Sequence, residues 1–234
     1  METDKFRVAL FGGSFDPPTK AHLHVAEQLI EQGVVDSVEF LPAYVSYHGK
    51  EYSASGKHRI KMLDKLIESS KYGSQMAVNN FEIYNKMQTS TYDFADKFLS
   101  MVGESDYNYC RHGIDTSDGV EYYFVVGGDN AKYLPNFSKG PNGECVTDRI
   151  PFIVVNRGLH GADDVKWCKK EPHIVVDIGL EHGSCSSSKI RDALHFMSLD
   201  GLCPEFLNDW CALDVFAYIL SNELYDVGGN DENS

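Results

Sequence analysis

The residues best suited to chemistry follow the first apolar run of the chain, in FGGSFDPPTKAH. Gly12 and Gly13 end that run, and Thr19 and His22 follow it. Glycine amides can approach a ligand closely and adopt positive φ, and two residues three apart share one face of a helix. Asp16 is suited to cap that helix, with a proline in its first turn. Because a helix N-terminus attracts phosphate, the stretch indicates a backbone that comes close to an anion.

A second candidate stretch, CSSSKIRDAL, lies about 165 residues downstream. Ser186 or Ser187 can cap a helix and direct hydroxyls and free amides at a phosphate. Ser188 and Arg191 are three residues apart, so the forked guanidinium can grip the same polyphosphate. Taken singly, a serine run is usually only a cap and a glycine pair only a tight turn. Neither stretch is a G-x-G-x-x-G fingerprint or a P-loop.

Alternating apolar runs and helical patterns must position these two stretches. The apolar runs predict strands at residues 6–11, 37–41, 76–83, 122–126, 152–155 and 173–178. The helical patterns cover residues 21–32, 58–69, 92–101, 187–196 and 213–220. This alternation predicts an α/β fold, a doubly wound, mainly parallel Rossmann-like sheet with helices on both faces. We expect the ligand cleft at the switch point between the first and fourth strands.

The sequence predicts one domain over residues 1–227, in which residues 183–225 form a small helical C-terminal part. Residues 228–234 are predicted to be a disordered tail. Two polar segments, residues 103–120 and 136–148, are predicted to be surface loops.

Composition narrows the class of partner. The net charge of −14 argues against a general affinity for nucleic acid or for an anionic membrane. The six cysteines form no C-x-x-C pair and no zinc-site spacing, so we expect reduced thiols and no structural metal. The chain starts with no signal-peptide pattern and has no membrane-length apolar run, which favours a cytoplasmic protein. The sequence does not settle the oligomeric state, and a homo-oligomer stays open.

Both stretches resemble signatures of the nucleotidyltransferase superfamily. The first resembles G-x-F-[DN]-P-x-[HT]-x-x-H, and the second resembles I-S-S-T-x-I-R, with Cys185 in place of isoleucine and Ser188 in place of threonine. Between and after them, ASGKHRIKMLDKLIESS, TSTYDFADKFL, VVGGDN, VVNRG and VFAYILSNELY resemble segments of the nicotinate and nicotinamide mononucleotide adenylyltransferases. The resemblance covers almost the whole chain.

The resemblance implies an enzyme that transfers AMP from Mg-ATP to nicotinate or nicotinamide mononucleotide and releases pyrophosphate, with Mg²⁺ as its cofactor. It implies that His22, Thr19 and Arg191 are catalytic. The ATP contacts that it implies are Gly12, Gly13, Ser14, Phe15, His22, Ser187, Ser188, Lys189, Ile190 and Arg191. The mononucleotide contacts that it implies are Ser14, Phe15, Lys50, Thr91, Gly127, Asp129 and Arg157.

Several alternatives stay open at the level of sequence. A related nucleotidyltransferase with another phosphate acceptor, such as pantetheine phosphate, shares the two end motifs. A non-catalytic nucleotide-binding regulator of the same fold is a third possibility, although the presence of both His22 and Arg191 argues against it. The choice between the acid and the amide mononucleotide is not readable from sequence. A stacking aromatic for the pyridine ring is expected near Phe81 or Tyr84.

Overall fold

A six-stranded sheet with helices on both faces forms the body of the molecule. The computed structural model describes residues 5–45, 51–87, 90–102, 119–137, 139–157, 165–179, 185–200 and 204–225. All five strand pairings are parallel, and the strand order is β3-β2-β1-β4-β5-β6. The strands are β1 (Phe6–Gly13), β2 (Ser37–Pro42), β3 (Met76–Val78), β4 (Val120–Gly127), β5 (Phe152–Arg157) and β6 (Ile174–Ile178).

Helices connect successive strands and close the C-terminal part. The longer helices are α1 (Lys20–Glu31), α2 (Gly56–Glu68), α4 (Thr91–Val102), α7 (Ser187–Asp200) and α9 (Leu213–Ser221). The short ones are α3 (Phe81–Tyr84), α5 (Gly128–Ala131), α6 (Leu134–Phe137) and α8 (Leu207–Trp210). The strand order reverses direction between β1 and β4, so the predicted switch point is confirmed.

The sheet is buried on both faces because side chains of a strand alternate between its two sides. In β1, Ala9 packs into the core beneath α1, α2, α7 and α9, whereas Val8 and Leu10 pack into the core beneath α4. In β4, Tyr123 joins the first of these cores and Phe124 the second. Near-continuous apolar strands of this kind are typical of parallel sheets.

The predicted elements are confirmed in type, with ends displaced by a few residues, except in two places. The strand predicted over residues 76–83 ends at Val78, because the Asn79 side chain accepts a hydrogen bond from the Phe81 amide and the chain turns into α3. The segment 136–148 is not wholly a loop, since it includes the end of α6 and a 3₁₀ turn at Val146–Asp148 in which Val146 and Thr147 are buried. Most of segment 103–120 lies outside the described residues.

Two further observations bear on the class of protein. Within the described ranges, no helix combines the length and the apolar character that a membrane crossing needs. Cys145, Cys168, Cys185 and Cys211 are free thiols. The other two cysteines lie outside the described part of the chain.

Candidate active site

The turn after β1 is shaped by Phe15 more than by its glycines. Phe15 has a φ of 49° and no exposed surface, and its ring lies beneath Gly13. A Cβ at Gly13 would stand 2.9 Å from that ring, so the position requires glycine. Neither Gly12 nor Gly13 has a positive φ, so the expectation that this turn uses the positive φ open to glycine is wrong. Phe15 can offer a ligand only its backbone, since its side chain is buried.

Helix α1 begins at Lys20, one residue before the predicted range of 21–32, but its cap is not the predicted one. Thr19 is its N-cap, and the Thr19 hydroxyl accepts a hydrogen bond from the His22 amide (3.4 Å). The predicted cap at Asp16 is wrong, because the Asp16 carboxylate accepts hydrogen bonds from the amides of Ser53 and Ala54 instead. The prediction of a proline in the first turn is also wrong, because Pro17 and Pro18 both precede the helix.

The His22 ring is held in one tautomer. The Thr19 amide donates to Nδ1 of His22 at 3.0 Å, and the Thr19 hydroxyl lies 2.9 Å from the same nitrogen. Since Nδ1 accepts, the neutral ring carries its proton on Nε2. Thr19 itself is fully buried. Thr19 therefore orients His22, and its predicted catalytic role stays a prediction.

The downstream motif lies against the first one. The Ser186 hydroxyl accepts from the Lys189 amide, which confirms the predicted cap at the start of α7. The Ser187 hydroxyl donates to the Pro17 carbonyl at 2.7 Å, and the Arg191 guanidinium donates to the Asp16 carbonyl. The N-termini of α1 and α7 therefore meet at residues 16–19, and two helix N-termini at one place favour an anion.

Three other residues of the downstream motif differ in solvent exposure. Ser188 and Lys189 are exposed at the first turn of α7, and the Lys189 ammonium lies 5.5 Å from the centre of the Trp210 ring. Ile190 is fully buried, so only its backbone can face a ligand.

A cavity of about 330 Å³ opens at the carboxyl ends of β1, β2 and β4, with Gly12, Gly13 and Ser14 of the first motif in its wall. Ser14 and Thr91, both predicted to bind the mononucleotide, line it. Gly127 ends β4, Asp129 is exposed in α5, and Arg157 ends β5, all at the same edge of the sheet. Lys50 lies outside the described residues. The cavity is lined by Gly12, Gly13, Ser14, Leu41, Ala43, Val45, Tyr52, Glu82, Ser90, Thr91, Phe94, Phe124, Val125, Val126, Leu134 and Phe152.

Neither Phe81 nor Tyr84, near which a stacking aromatic is expected, lines the cavity. Phe81 is buried, and Tyr84 is 81% exposed and does not line the cavity. The aromatic residues that do line the cavity are Tyr52, Phe94, Phe124 and Phe152.

Arg59 stands behind the cavity wall and was missed as a site residue. It is 1% exposed, and its guanidinium donates to the carbonyls of Ala54 (3.2 Å), Ser14 (2.7 Å) and Ala43 (2.8 Å). The Tyr52 ring covers it at 4.3 Å. Burial lowers the pKa of Arg59, and the nearby Tyr52 and Asp16 oppose that shift. One buried cation thus fixes two segments of the cavity wall.

Glu82 is an acidic group in the cavity wall. Burial raises its pKa to about 7, against the opposing effects of the Tyr44 amide, which donates to it at 3.2 Å, and of the Arg59 charge. A carboxyl with such a pKa is partly protonated near neutral pH, so it repels an anion less than an ordinary carboxylate would. In the sequence, the only indication of a site role for Glu82 was its position between the second and third predicted helices.

The arrangement suits transfer between phosphates. A His22 donor, a forked guanidinium and two helix N-termini lie around the segment that follows β1, and Ser14 of the same segment lines the cavity. Such groups bring anions together and stabilise charge that grows on phosphate oxygens, and they require no nucleophilic side chain.

Comparisons with known proteins agree with this chemistry. The model of the cytidylyltransferase-like family matches residues 10–193. A probable nicotinate-nucleotide adenylyltransferase of Listeria innocua is 30% identical over 224 residues, which cover 94% of this chain and 98% of that protein. A protein of the same description from Streptococcus pneumoniae is 30% identical over 225 residues, which cover 96% of this chain and 91% of that protein.

Solved structures share the fold. The chain is similar to Plasmodium falciparum nicotinic acid mononucleotide adenylyltransferase complexed with NaAD, with a TM-score of 0.73, 20% identity, and coverage of 94% of this chain and 97% of that one. A putative nicotinate-nucleotide adenylyltransferase of Vibrio parahaemolyticus aligns with a TM-score of 0.53 at 19% identity, with coverage of 94% and 95%.

Proposed function

Since the chain belongs to the cytidylyltransferase-like family, and full-length relatives are described as nicotinate-nucleotide adenylyltransferases, we propose that it transfers AMP from ATP to nicotinate or nicotinamide mononucleotide. A phosphate oxygen of the mononucleotide attacks the α-phosphorus of ATP. The bond to the β-phosphate oxygen breaks, and pyrophosphate leaves with its electrons. The products are the dinucleotide and pyrophosphate.

One observation carries the proposal, namely the contact between the two motifs. The Arg191–Asp16 and Ser187–Pro17 hydrogen bonds bring the start of α7 against the turn that follows β1, beside the cavity. Such a site can hold a triphosphate on one side and an acceptor nucleotide on the other. The attacking phosphate oxygen is already anionic near neutral pH, so positioning and electrostatics are the main requirements.

On the ATP side, we assign His22 and Arg191 to the phosphates that gain charge. The Nε2 proton of His22 is available in the tautomer that Thr19 fixes. Arg191 contributes a planar fork that can bind two phosphate oxygens. The Gly12, Gly13, Ser14 and Phe15 backbone and the start of α7 complete this half of the proposed site.

On the acceptor side, we assign the cavity to the mononucleotide. Ser14 and Thr91 line it, which supports their predicted roles, and Gly127, Asp129 and Arg157 are proposed at its rim. Lys50 stays a proposed contact from the sequence resemblance alone. The acid mononucleotide is favoured by the descriptions of the bacterial relatives.

Magnesium is proposed as part of the Mg-ATP substrate. Nowhere among the described residues do three or more His, Cys, Asp or Glu side chains form a potential metal site. Mg²⁺ is commonly held by substrate phosphates and water, with few protein ligands. When it is bound, it neutralises charge on the phosphate oxygens.

The domain bounds, the cellular location and the class of partner are also proposals. Residues 1–227 are assigned to one nucleotidyltransferase domain, whose helical C-terminal part is residues 183–225. A cytoplasmic enzyme is supported by the four free thiols. Small-molecule substrates and no nucleic-acid partner are supported by the net charge of −14.

The decisive experiment measures pyrophosphate release from Mg-ATP with three acceptors: nicotinate mononucleotide, nicotinamide mononucleotide and pantetheine phosphate. We expect release, with the matching dinucleotide identified by mass, only with the pyridine nucleotides. Release with pantetheine phosphate alone would assign the chain to a different acceptor. ATP binding without release for any acceptor would favour the regulator.

A further inference from the structure

Asp16 is the most connected buried acid of the described site. It is 2% exposed, and its carboxylate accepts hydrogen bonds from the Ser53 amide (2.7 Å), the Ala54 amide (3.0 Å) and the Tyr225 hydroxyl (2.8 Å). These donors come from the segment just before α2 and from the C-terminal segment after α9. A carboxylate with these partners is fixed in place, because each charge-assisted hydrogen bond is strong where water is excluded.

The backbone of the same residue holds a group of the proposed ATP site. The Asp16 carbonyl accepts a hydrogen bond from the Arg191 guanidinium. Asp16 is therefore bonded through its side chain to Tyr225 and through its main chain to Arg191. A displacement of the Asp16 peptide would move the acceptor on which Arg191 is oriented.

Tyr225 is well suited to act as a permanent donor. It is 6% exposed, and its hydroxyl also lies 3.9 Å from the Met62 sulfur. Burial and the neighbouring Asp16 raise the pKa of Tyr225, so its hydroxyl keeps its proton. Its φ of 66° is in the left-handed region, which a non-glycine residue occupies at a cost that its surroundings must offset.

We propose that Tyr225 is a positioning residue for the adenylyl transfer: through the Asp16 carboxylate, its hydroxyl holds the peptide that orients Arg191. The proposal rests on the proposed function in one respect, the assignment of Arg191 to ATP. It gives the C-terminal segment a part in the chemistry although the segment does not line the cavity. Because the connection runs through Arg191, the effect is on the ATP half of the site.

The test compares Tyr225→Phe with Tyr218→Phe. Both remove one hydroxyl from a C-terminal tyrosine, but the Tyr218 hydroxyl is paired with Nδ1 of His58 (3.0 Å), not with Asp16. We expect Tyr225→Phe to lower kcat/KM for ATP about tenfold, as loss of a hydrogen bond to a charged group does, while the mononucleotide KM changes less than about twofold. Tyr218→Phe should leave both unchanged. Equal effects of the two variants would overturn the proposal.

A double-mutant cycle with Arg191→Lys separates positioning from general loosening. If Tyr225 acts through Arg191, Tyr225→Phe costs less than about twofold once Arg191 is replaced. The same tenfold loss in both backgrounds would overturn the proposal. Each variant is assayed well below its unfolding midpoint, and Asp16→Asn replaces Tyr225→Phe in the cycle if that variant does not fold.

A binding measurement distinguishes this proposal from the proposed function. Titration with a non-hydrolysable ATP analogue requires no turnover. If the wild-type chain releases no pyrophosphate with any mononucleotide, the proposed function fails. Weaker analogue binding by Tyr225→Phe, and not by Tyr218→Phe, would then still support the positioning role, and unchanged binding would overturn it.

Discussion

The backbone amide of Thr19 donates a hydrogen bond to Nδ1 of His22, at 3.0 Å, across the first turn of α1. This contact does two things at once. It satisfies an amide at the helix start, and it places the imidazole proton on Nε2. His22 is thereby a hydrogen-bond donor fixed in orientation before any substrate binds, which is the condition for electrostatic stabilisation without reorganisation.

His22→Ala is therefore expected to lower kcat by about 10²–10³-fold, the usual cost of removing one donor from a site of developing charge. The KM values should change much less, because the donor acts mainly on charge that appears in the transition state. Steady-state kinetics with each substrate varied in turn measures both. A variant with wild-type turnover would remove His22 from the mechanism.

The sequence predicted the features that a local stretch of residues determines. The alternation of apolar runs predicts the parallel sheet, and the resemblance of the motifs to a known family locates His22 and Arg191. It was misleading at Asp16. An aspartate before a helical pattern favours a cap, but Pro18 has no N–H to donate to the Asp16 carboxylate and the Thr19 amide donates to His22 instead. Thr19 provides the cap further on.

The rest depends on contacts between distant segments. Arg59 has a role because its guanidinium reaches the carbonyls of Ser14 and Ala43, and Tyr225 has one because its hydroxyl reaches Asp16, 209 residues away. No local pattern encodes an acceptor that is a backbone carbonyl in another segment. Both residues lie in stretches that resemble the family, but the contacts that give them a role become visible only when the tertiary fold is known.

Arg191→Lys is expected not to be conservative. Lysine keeps the charge but loses the planar fork, and with it at least one charge-assisted hydrogen bond worth about 1.5–3 kcal/mol. We expect kcat/KM for ATP to fall at least about tenfold, with a smaller change in the mononucleotide KM. Kinetics with each substrate varied decides the matter. A rise confined to the mononucleotide KM would show that the two halves of the site are assigned the wrong way round.

Arg59→Lys is expected to destabilise the fold as well as the cavity. One ammonium cannot reach three carbonyls in different directions, and each buried carbonyl left without a donor costs about 1–3 kcal/mol. Urea unfolding should show a loss of about 2 kcal/mol or more, accompanied by a higher mononucleotide KM. Arg149→Lys is the control, because Arg149 forms an exposed ion pair with Asp96 that is worth little. Equal losses in the two variants would argue against the role given to Arg59.

Glu82→Gln tests the charge in the cavity wall. The folded-state pKa of Glu82 is raised from 4.5 to about 7, mainly by burial. Between these values the folded chain binds more protons than the unfolded chain. This group therefore makes stability fall as pH rises from about 4.5 through 7.

Glutamine cannot ionise, so the Glu82→Gln variant should lose that part of the pH dependence. Its free energy of unfolding, relative to wild type, should be higher at pH 8 than at pH 5 by about 2–3 kcal/mol. Urea unfolding at the two pH values measures the difference. Glu121→Gln is the control, since Glu121 lies in β4 far from the cavity and pairs with Lys5.

The same substitution should change substrate affinity with pH. Above pH 7 the ionised Glu82 repels an anionic mononucleotide, whereas glutamine does not. We therefore expect the mononucleotide KM of the wild type to rise, relative to that of Glu82→Gln, between pH 6 and pH 8. The KM for ATP should change with pH in the same way in the two proteins. Comparing the two proteins at each pH cancels the titration of the substrate's own phosphate. Parallel mononucleotide KM profiles would show that Glu82 does not face the bound nucleotide, and the acceptor would then have to occupy another part of the cavity.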